Sequence, residues 1–199
     1  MSRNLNFLVV ALLSSFASAA HNCTSFNDRN HGFGCEMRNV LPSDEMFEIS
    51  MMSREVTNKT DSDVIWVQIR DSQFVDLPPS VFEKFENMEK IMILSTTGFK
   101  ILNTPYFDKK ITLILMKATD LEEVGENAFP GLTSLTILSL NYNKINKVHK
   151  NAFRDLVNVD KIEMVGNFIE TLDDDIFENN IKLRLLLLYS NKIKVKKIR

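Results

Sequence analysis

Two consecutive stretches of the chain coincide when laid over one another at an offset of 24 residues, and this repeat restricts the fold more than any other feature. The first, LTSLTILSLNYNKINKVHKNAF, runs from Leu132 to Phe153; the second, LVNVDKIEMVGNFIETLDDDIF, from Leu156 to Phe177. Leu135, Leu138 and Leu140 fall on Val159, Ile162 and Met164, Asn143 on Asn167, Ile145 on Ile169, Val148 on Leu172, and Phe153 on Phe177. One more step reaches Leu183, Leu186, Leu188, Asn191 and Ile193. Upstream, the frame holds at Ile111, Ile114, Met116, Thr119, Leu121, Val124, Ala128 and Phe129. It holds again at Val64, Val67, Ile69, Ser72, Phe74, Leu77, Val81 and Phe82. The copy between these two is poorer, with Met92, Leu94, Thr97, Phe99, Leu102 and Phe107 in the apolar and bend positions. A one-residue shift of its strand would place Ile91 and Ile93 inward instead. The Asn-type position thus recurs at Ser72, Thr97, Thr119, Asn143, Asn167 and Asn191, in steps of 25, 22, 24, 24 and 24, which gives six copies.

The L-x-L-x alternation makes a short strand with one buried face. A single copy cannot bury that face alone, so copies stack into a quasi-linear solenoid with a parallel sheet along one side. Pairs such as Ile145 and Val148, and the column Phe82, Phe107, Phe129, Phe153 and Phe177, fill the interior toward the other side. A buried asparagine at each bend can satisfy backbone groups that the turning chain leaves unpaired. Ser72, Thr97 and Thr119 offer only a hydroxyl there, so the first three bends are expected to be less well fixed. An amphipathic helical bundle is the rival architecture, but the alternation and the Asn-bearing turns oppose it.

The pattern LxxLxLxxNxIxxVxxxAF resembles the leucine-rich repeat in its 24-residue extracellular type, over about residues 61–199. The resemblance implies an α/β solenoid with a curved parallel sheet on its concave face and loops and short helical turns on the convex one. It also implies a non-enzymatic role in recognition, innate immunity or adhesion. Residues 21–60 lack the repeat and stand where an N-terminal cap is needed. They loosely resemble the cysteine-bearing cap of extracellular repeat proteins. At the other end, the sixth copy reads as incomplete, with Lys196 in an apolar position and no cysteine-bearing cap. Capping by the basic tail, a fragment or short isoform, and cover by a partner are all compatible with that ending.

Export is expected from the first twenty residues: Arg3, the apolar run Phe7 to Phe16, and the small residues Ala17 to Ala20 read as a signal peptide. A core helix is the alternative. The apolar run is shorter than the roughly 20 residues a membrane span needs. Cys23 and Cys35 can close a short disulfide loop in an oxidising compartment, or stand as two free thiols. Asn22 and Asn58 head N-x-[ST] sequons and are candidate glycosylation sites. Residues 21–190 carry 18 basic and 26 acidic side chains, which argues against a nucleic-acid partner, whereas the last nine carry 5 basic and none acidic.

No catalytic or metal-binding constellation is visible, and no cofactor is expected. His21 and His31 lie in the cap region and His149 in a polar turn, while HExxH, P-loop and Gly-rich dinucleotide patterns are missing. The acidic run Asp173–Asp175 falls in a convex loop and reads as a solvated turn. Binding is the better-founded expectation. The residues alternating with the inward ones face the concave side: Trp66, Gln68, Arg70 and Asp71; Leu113, Leu115 and Lys117; Ile137, Ser139, Asn141 and Tyr142; Lys161, Glu163 and Val165; Leu185, Leu187 and Tyr189. Trp66, Leu113, Ile137 and Leu185 share one position in four copies. An apolar column edged by charge suits an extracellular protein ligand, although apolar residues there also raise β-propensity or meet a neighbouring loop. The alternative role is that of an assembly subunit or receptor-ectodomain fragment associating through the uncapped C-terminal end, a possible oligomer.

Overall fold

The computed structural model describes residues 21–28, 32–38, 49–52, 60–74, 79–102, 107, 110–126 and 128–194. The expected signal peptide, Asn58 and Lys196 lie outside these residues. Strands β1 (His21–Asp28) and β2 (Gly32–Arg38) form an antiparallel pair, and β3 (Ile49–Met52) runs parallel to β1. Strand β4 (Trp66–Arg70) pairs in parallel with β2, and β5 (Lys90–Leu94) with β4. After the two-residue strand β6 (Ile101–Leu102), the sheet continues through β7 (Leu113–Lys117). The remaining short strands are β8 (Glu123–Val124), β9 (Ile137–Ser139), β10 (Lys147–Val148), β11 (Lys161–Glu163) and β12 (Leu185–Leu187). Nine strands make one sheet in the order β12-β11-β9-β7-β5-β4-β2-β1-β3, and β6, β8 and β10 make a second, narrow one. Helix is scarce among the described residues: one six-residue helix, α1 (Pro79–Lys84), and one 3₁₀ turn. The architecture is therefore the parallel-strand solenoid that the repeat requires.

Each main strand is short because a left-handed residue ends its coil. Asp71, Ser95, Ala118, Tyr142, Gly166 and Ser190 all have φ between 49° and 67°. Only glycine occupies this region without steric cost, yet five of the six carry a side chain. What holds them is the neighbouring coil. Ser95 N–H donates to Lys117 O at 3.0 Å, Tyr142 N–H to Val165 O at 2.8 Å and Gly166 N–H to Tyr189 O at 3.1 Å.

This column defines the repeat frame and corrects one expectation. The buried residue just after each left-handed one is Ser72, Thr96, Thr119, Asn143 or Asn167, with the half-buried Asn191 last, so the third bend position belongs to Thr96 and not Thr97. Ile91 and Ile93 are fully buried, whereas Met92 and Leu94 face outward and are half-buried. The reason lies in the alternation: Lys90 shares a face with Met92 and Leu94, so turning those two inward would bury an ammonium group. The extra residue is absorbed just after the bend. Gly98 has φ 104°, and a Cβ there would stand 2.2 Å from Phe74 O. Beyond it Phe99 and Leu102 return to the interior.

Two ladders tie the coils together inside. Asn143 Nδ2 donates to Met116 O at 2.9 Å and Leu140 O at 3.1 Å; Asn167 Nδ2 does the same to Leu140 O (2.9 Å) and Met164 O (3.1 Å). Asn191 repeats it with Met164 O at 2.7 Å and Leu188 O at 2.8 Å. Thr96 Oγ1 reaches only Leu94 O, within its own coil, at 3.0 Å. On the convex side the phenylalanine column is continuous. Ring centroids are 5.6 Å apart for Phe82–Phe107, 6.2 Å for Phe107–Phe129 and Phe129–Phe153, and 5.5 Å for Phe153–Phe177. The first pair meets edge-on and the last three are stacked, both favourable arrangements.

Candidate protein-binding face

The register of the sheet fixes which side chains share the concave face. One row runs Gly34, Trp66, Lys90, Leu113, Ile137, Lys161, Leu185. The next runs Glu36, Gln68, Met92, Leu115, Ser139, Glu163, Leu187. Arg38, Arg70, Leu94 and Lys117 begin a third.

The first row shows that the expected apolar column is broken. Lys90 separates Trp66 from Leu113, and Lys161 separates Ile137 from Leu185. Trp66 is also not offered to solvent: it is 2% exposed, and a Cβ on Gly34 would fall 1.9 Å from its ring. The indole lies flat on glycine backbone, which only a residue without a side chain permits. Ser139 (4% exposed) and Val165 (2%) are buried as well, against the same expectation.

What the face does present is a different patch. Met92 and Leu94 on β5, Leu113 and Leu115 on β7, and Ile137 on β9 are adjacent, half-buried and outward-facing. Of the two registers the sequence leaves open for this copy, the structure takes the shifted one, with Ile91 and Ile93 inward and Met92 and Leu94 outward; Lys90, two residues before Met92, is the signal that favours it.

On either side of the patch the polar residues are engaged with one another. Asn141 Nδ2 donates to Glu163 Oε2 (2.8 Å) and Ser139 Oγ (2.9 Å), while its Oδ1 accepts Val165 N–H at 2.7 Å. Lys161 is ion-paired with Glu163. Burial pushes the Glu163 carboxyl up, but hydrogen bonds from Lys161, Asn141 and Ser139 outweigh it and hold the group below the usual carboxylate range. Toward the N-terminal side, Gln68 Nε2 donates to Glu36 Oε2 at 2.7 Å, and Arg38 bridges Glu36 and Asp71. Arg70 Nε lies 3.4 Å from Asp71 Oδ2. Lys117 stands at the patch edge, its Nζ 5.1 Å from the centre of the Tyr142 ring. Tyr142 and Tyr189 are 54% and 62% exposed, and Leu185 and Leu187 lie beside them on the outermost strand. The residues of this face therefore fall into an apolar centre, two polar clusters and an aromatic edge.

Among the described residues no group of three or more His, Cys, Asp or Glu side chains is placed to hold a metal ion, and no helix is long and apolar enough to cross a membrane. Cys35 is fully buried and is not a free thiol. The side chain of Cys23, and that of Asn22 in β1, lie outside the described atoms.

Comparison with known proteins agrees with the fold. Residues 111–169 match the leucine-rich repeat family model. Human epiphycan is 38% identical over 53 residues, which is 27% of this chain and 16% of epiphycan. Among solved structures, the LRIM1/APL1C complex gives a TM-score of 0.62 at 16% identity, over 88% of this chain and 32% of that one. The glycosylated Toll–Spatzle complex of Drosophila gives 0.61 at 20% identity, over 75% and 20%. Residues 111–169 carry the leucine-rich repeat, and the fold of the chain is that of leucine-rich repeat proteins. The match spans a third or less of each relative's own length. Solenoids of this kind use extended concave surfaces for protein interaction, and they are typically scaffolds, not catalysts.

Proposed function

We propose that the chain is an exported leucine-rich repeat protein of the 24-residue type that binds another extracellular protein through its concave face. The observation that carries this is the patch of Met92, Leu94, Leu113, Leu115 and Ile137, five apolar side chains on three adjacent strands, flanked by the polar clusters around Glu36 and Glu163. Interface cores draw on this composition. The solved structures of like fold, Toll with Spatzle and LRIM1 with APL1C, are both complexes with a protein partner. Export is supported by the three-part N-terminal segment and by a buried, bonded Cys35, for which Cys23 is the other cysteine of the chain. Glycans at Asn22 and Asn58 belong to the same reading. A photo-crosslinking residue at position 115, with one at the exposed Val157 as control, tests it in extracellular fluid. Adducts are expected from position 115 alone; equal labelling from both would refute the assignment.

A second reading has its own observation. Leu186 continues the inward row of Ile162 and Leu138, which are fully buried, yet it is 36% exposed. An inward residue in water at the outermost strand favours association through this end, with a second copy or a partner completing the stack. Sedimentation of the full chain and of Leu186→Lys tests it: a change from oligomer to monomer supports it, and a monomer in both cases rules it out.

A further inference from the structure

We propose that the basic segment 195–199 docks along the acidic run Asp173–Asp175 of the preceding coil. The repeat that stacks the coils also stacks charge. Lys147 Nζ meets Glu123 Oε1 at 2.7 Å, and Lys194 Nζ meets Glu170 Oε2 at 2.6 Å, each across 24 residues. Across the same step Arg184 Nη2 meets Asp160 Oδ2 at 3.0 Å, and Lys182 Nζ meets Asn158 Oδ1 at 2.6 Å. Lys144 and Asp120, 2.8 Å apart, repeat it once more. In each of these the cation belongs to the later coil and its acceptor to the earlier one.

The same step carried forward leads from Asp173 to Lys197 and from Asp175 to Arg199. The run holds three carboxylates and no base; residues 195–199 hold three bases and no carboxylate. Asp173 and Asp175 are exposed and have no cationic partner among the described residues, while Asp174 between them is already engaged and is not counted. The chain itself delivers the tail. Lys192 N–H donates to Ile169 O at 2.9 Å and Lys194 N–H to Glu170 O at 3.1 Å, so the path follows the preceding coil up to the last described residue. Lys197 then follows Lys194 by the same three positions that separate Asp173 from Glu170. Tethering this close keeps the two runs at high effective concentration, so ion pairs that are weak singly form together. A separate polyanion has no such advantage and meets the carboxylates as repulsion. The docking goes beyond either reading of function, and a partner taken at the end where Leu186 and Ile193 are exposed has to accommodate the tail.

The test is amide hydrogen exchange of the full chain at low salt. Lys197→Glu with Arg199→Glu is expected to speed exchange at Lys192 and Lys194 about fivefold, the effect of two exposed ion pairs. The interior amide of Ile145, held by Asn167, should keep its rate and so exclude a folding defect. Adding Asp173→Lys and Asp175→Lys is expected to restore the parent rates at Lys192 and Lys194. In 1 M salt, where the Debye length is about 3 Å, parent and charge-reversed chains should exchange alike. Reversed charges that leave both amides at the parent rate would overturn the proposal, as would a quadruple variant that stays fast. Parent amides slowed only by added heparin would overturn it in favour of an external polyanion.

Discussion

Asn167 stands 27 residues after Leu140 in the sequence and donates its Nδ2 hydrogen to the Leu140 carbonyl at 2.9 Å. Its second amide hydrogen goes to Met164 O at 3.1 Å, and its Oδ1 accepts Ile145 N–H at 3.0 Å. One buried side chain thus closes its own bend and fastens two coils. Asn167→Ala removes these three hydrogen bonds, of about 1 kcal/mol each, together with a longer one to Val165 O at 3.4 Å, and strands buried backbone groups. A loss of about 3 kcal/mol is expected in urea unfolding. Thr96→Ala, which removes one bond within a single coil, is expected to cost about 1 kcal/mol. Equal losses would remove the ladder from the account.

The phenylalanine column makes a second prediction. Phe153 is fully buried between Phe129 and Phe177, with centroids 6.2 and 5.5 Å away. Phe153→Ala is expected to lower stability by about 3–5 kcal/mol, the range for deleting a core aromatic ring. A loss under about 1 kcal/mol would mean the interior collapses around the gap.

Backbone strain at the bends is testable by adding a glycine. At Ala118, φ 55°, the αL penalty of about 1–2 kcal/mol is partly offset by glycine's greater chain entropy, so Ala118→Gly should stabilise by up to about 1 kcal/mol. Gly166→Ala should do the reverse, because φ is 67° and the new Cβ would meet Tyr142 Cδ1 at 2.8 Å. Melting temperatures moving in the same direction for both would contradict the geometry.

Acid should weaken the fold in a defined window. Glu163, Asp160 and Glu170 are all held below their ordinary values; hydrogen bonds from Arg184 and Lys194 dominate for the last two. A lowered folded value means the native state binds fewer protons, so the stabilisation is complete above the unfolded values near 4 and is lost as pH falls through the folded ones. The melting temperature should be nearly flat from pH 7 to about 5 and fall below about pH 4, less steeply in Glu163→Gln. A fall beginning near pH 6 would point to histidine instead.

The fold was legible because the repeat is strict where it matters: Asn143, Asn167, Phe153 and Phe177 fall on one period. The same period failed in the second copy. There a residue inserted beside Gly98 keeps Phe99 and Phe107 in phase with the wrong bend residue, Thr97, and a one-residue slip inverts a strand. The candidate site suffered most, since only the alternative register, with Ile91 and Ile93 inward, puts Met92 and Leu94 on the open face. Trp66 was misread for another reason: outward alternation does not reveal a facing Gly34 from a strand 32 residues earlier. Side-chain pairing such as Asn141 with Glu163 depends on neighbouring coils and is equally invisible to a single period.

Capture of a protein partner from extracellular fluid by the double variant Leu113→Glu, Leu115→Glu puts the concave patch to the most direct test. Both side chains are half-exposed on one face of β7, so the melting temperature should stay close to that of the parent chain while captured partner falls at least tenfold. Undiminished capture by the folded double variant would show that the apolar block is not where this protein binds.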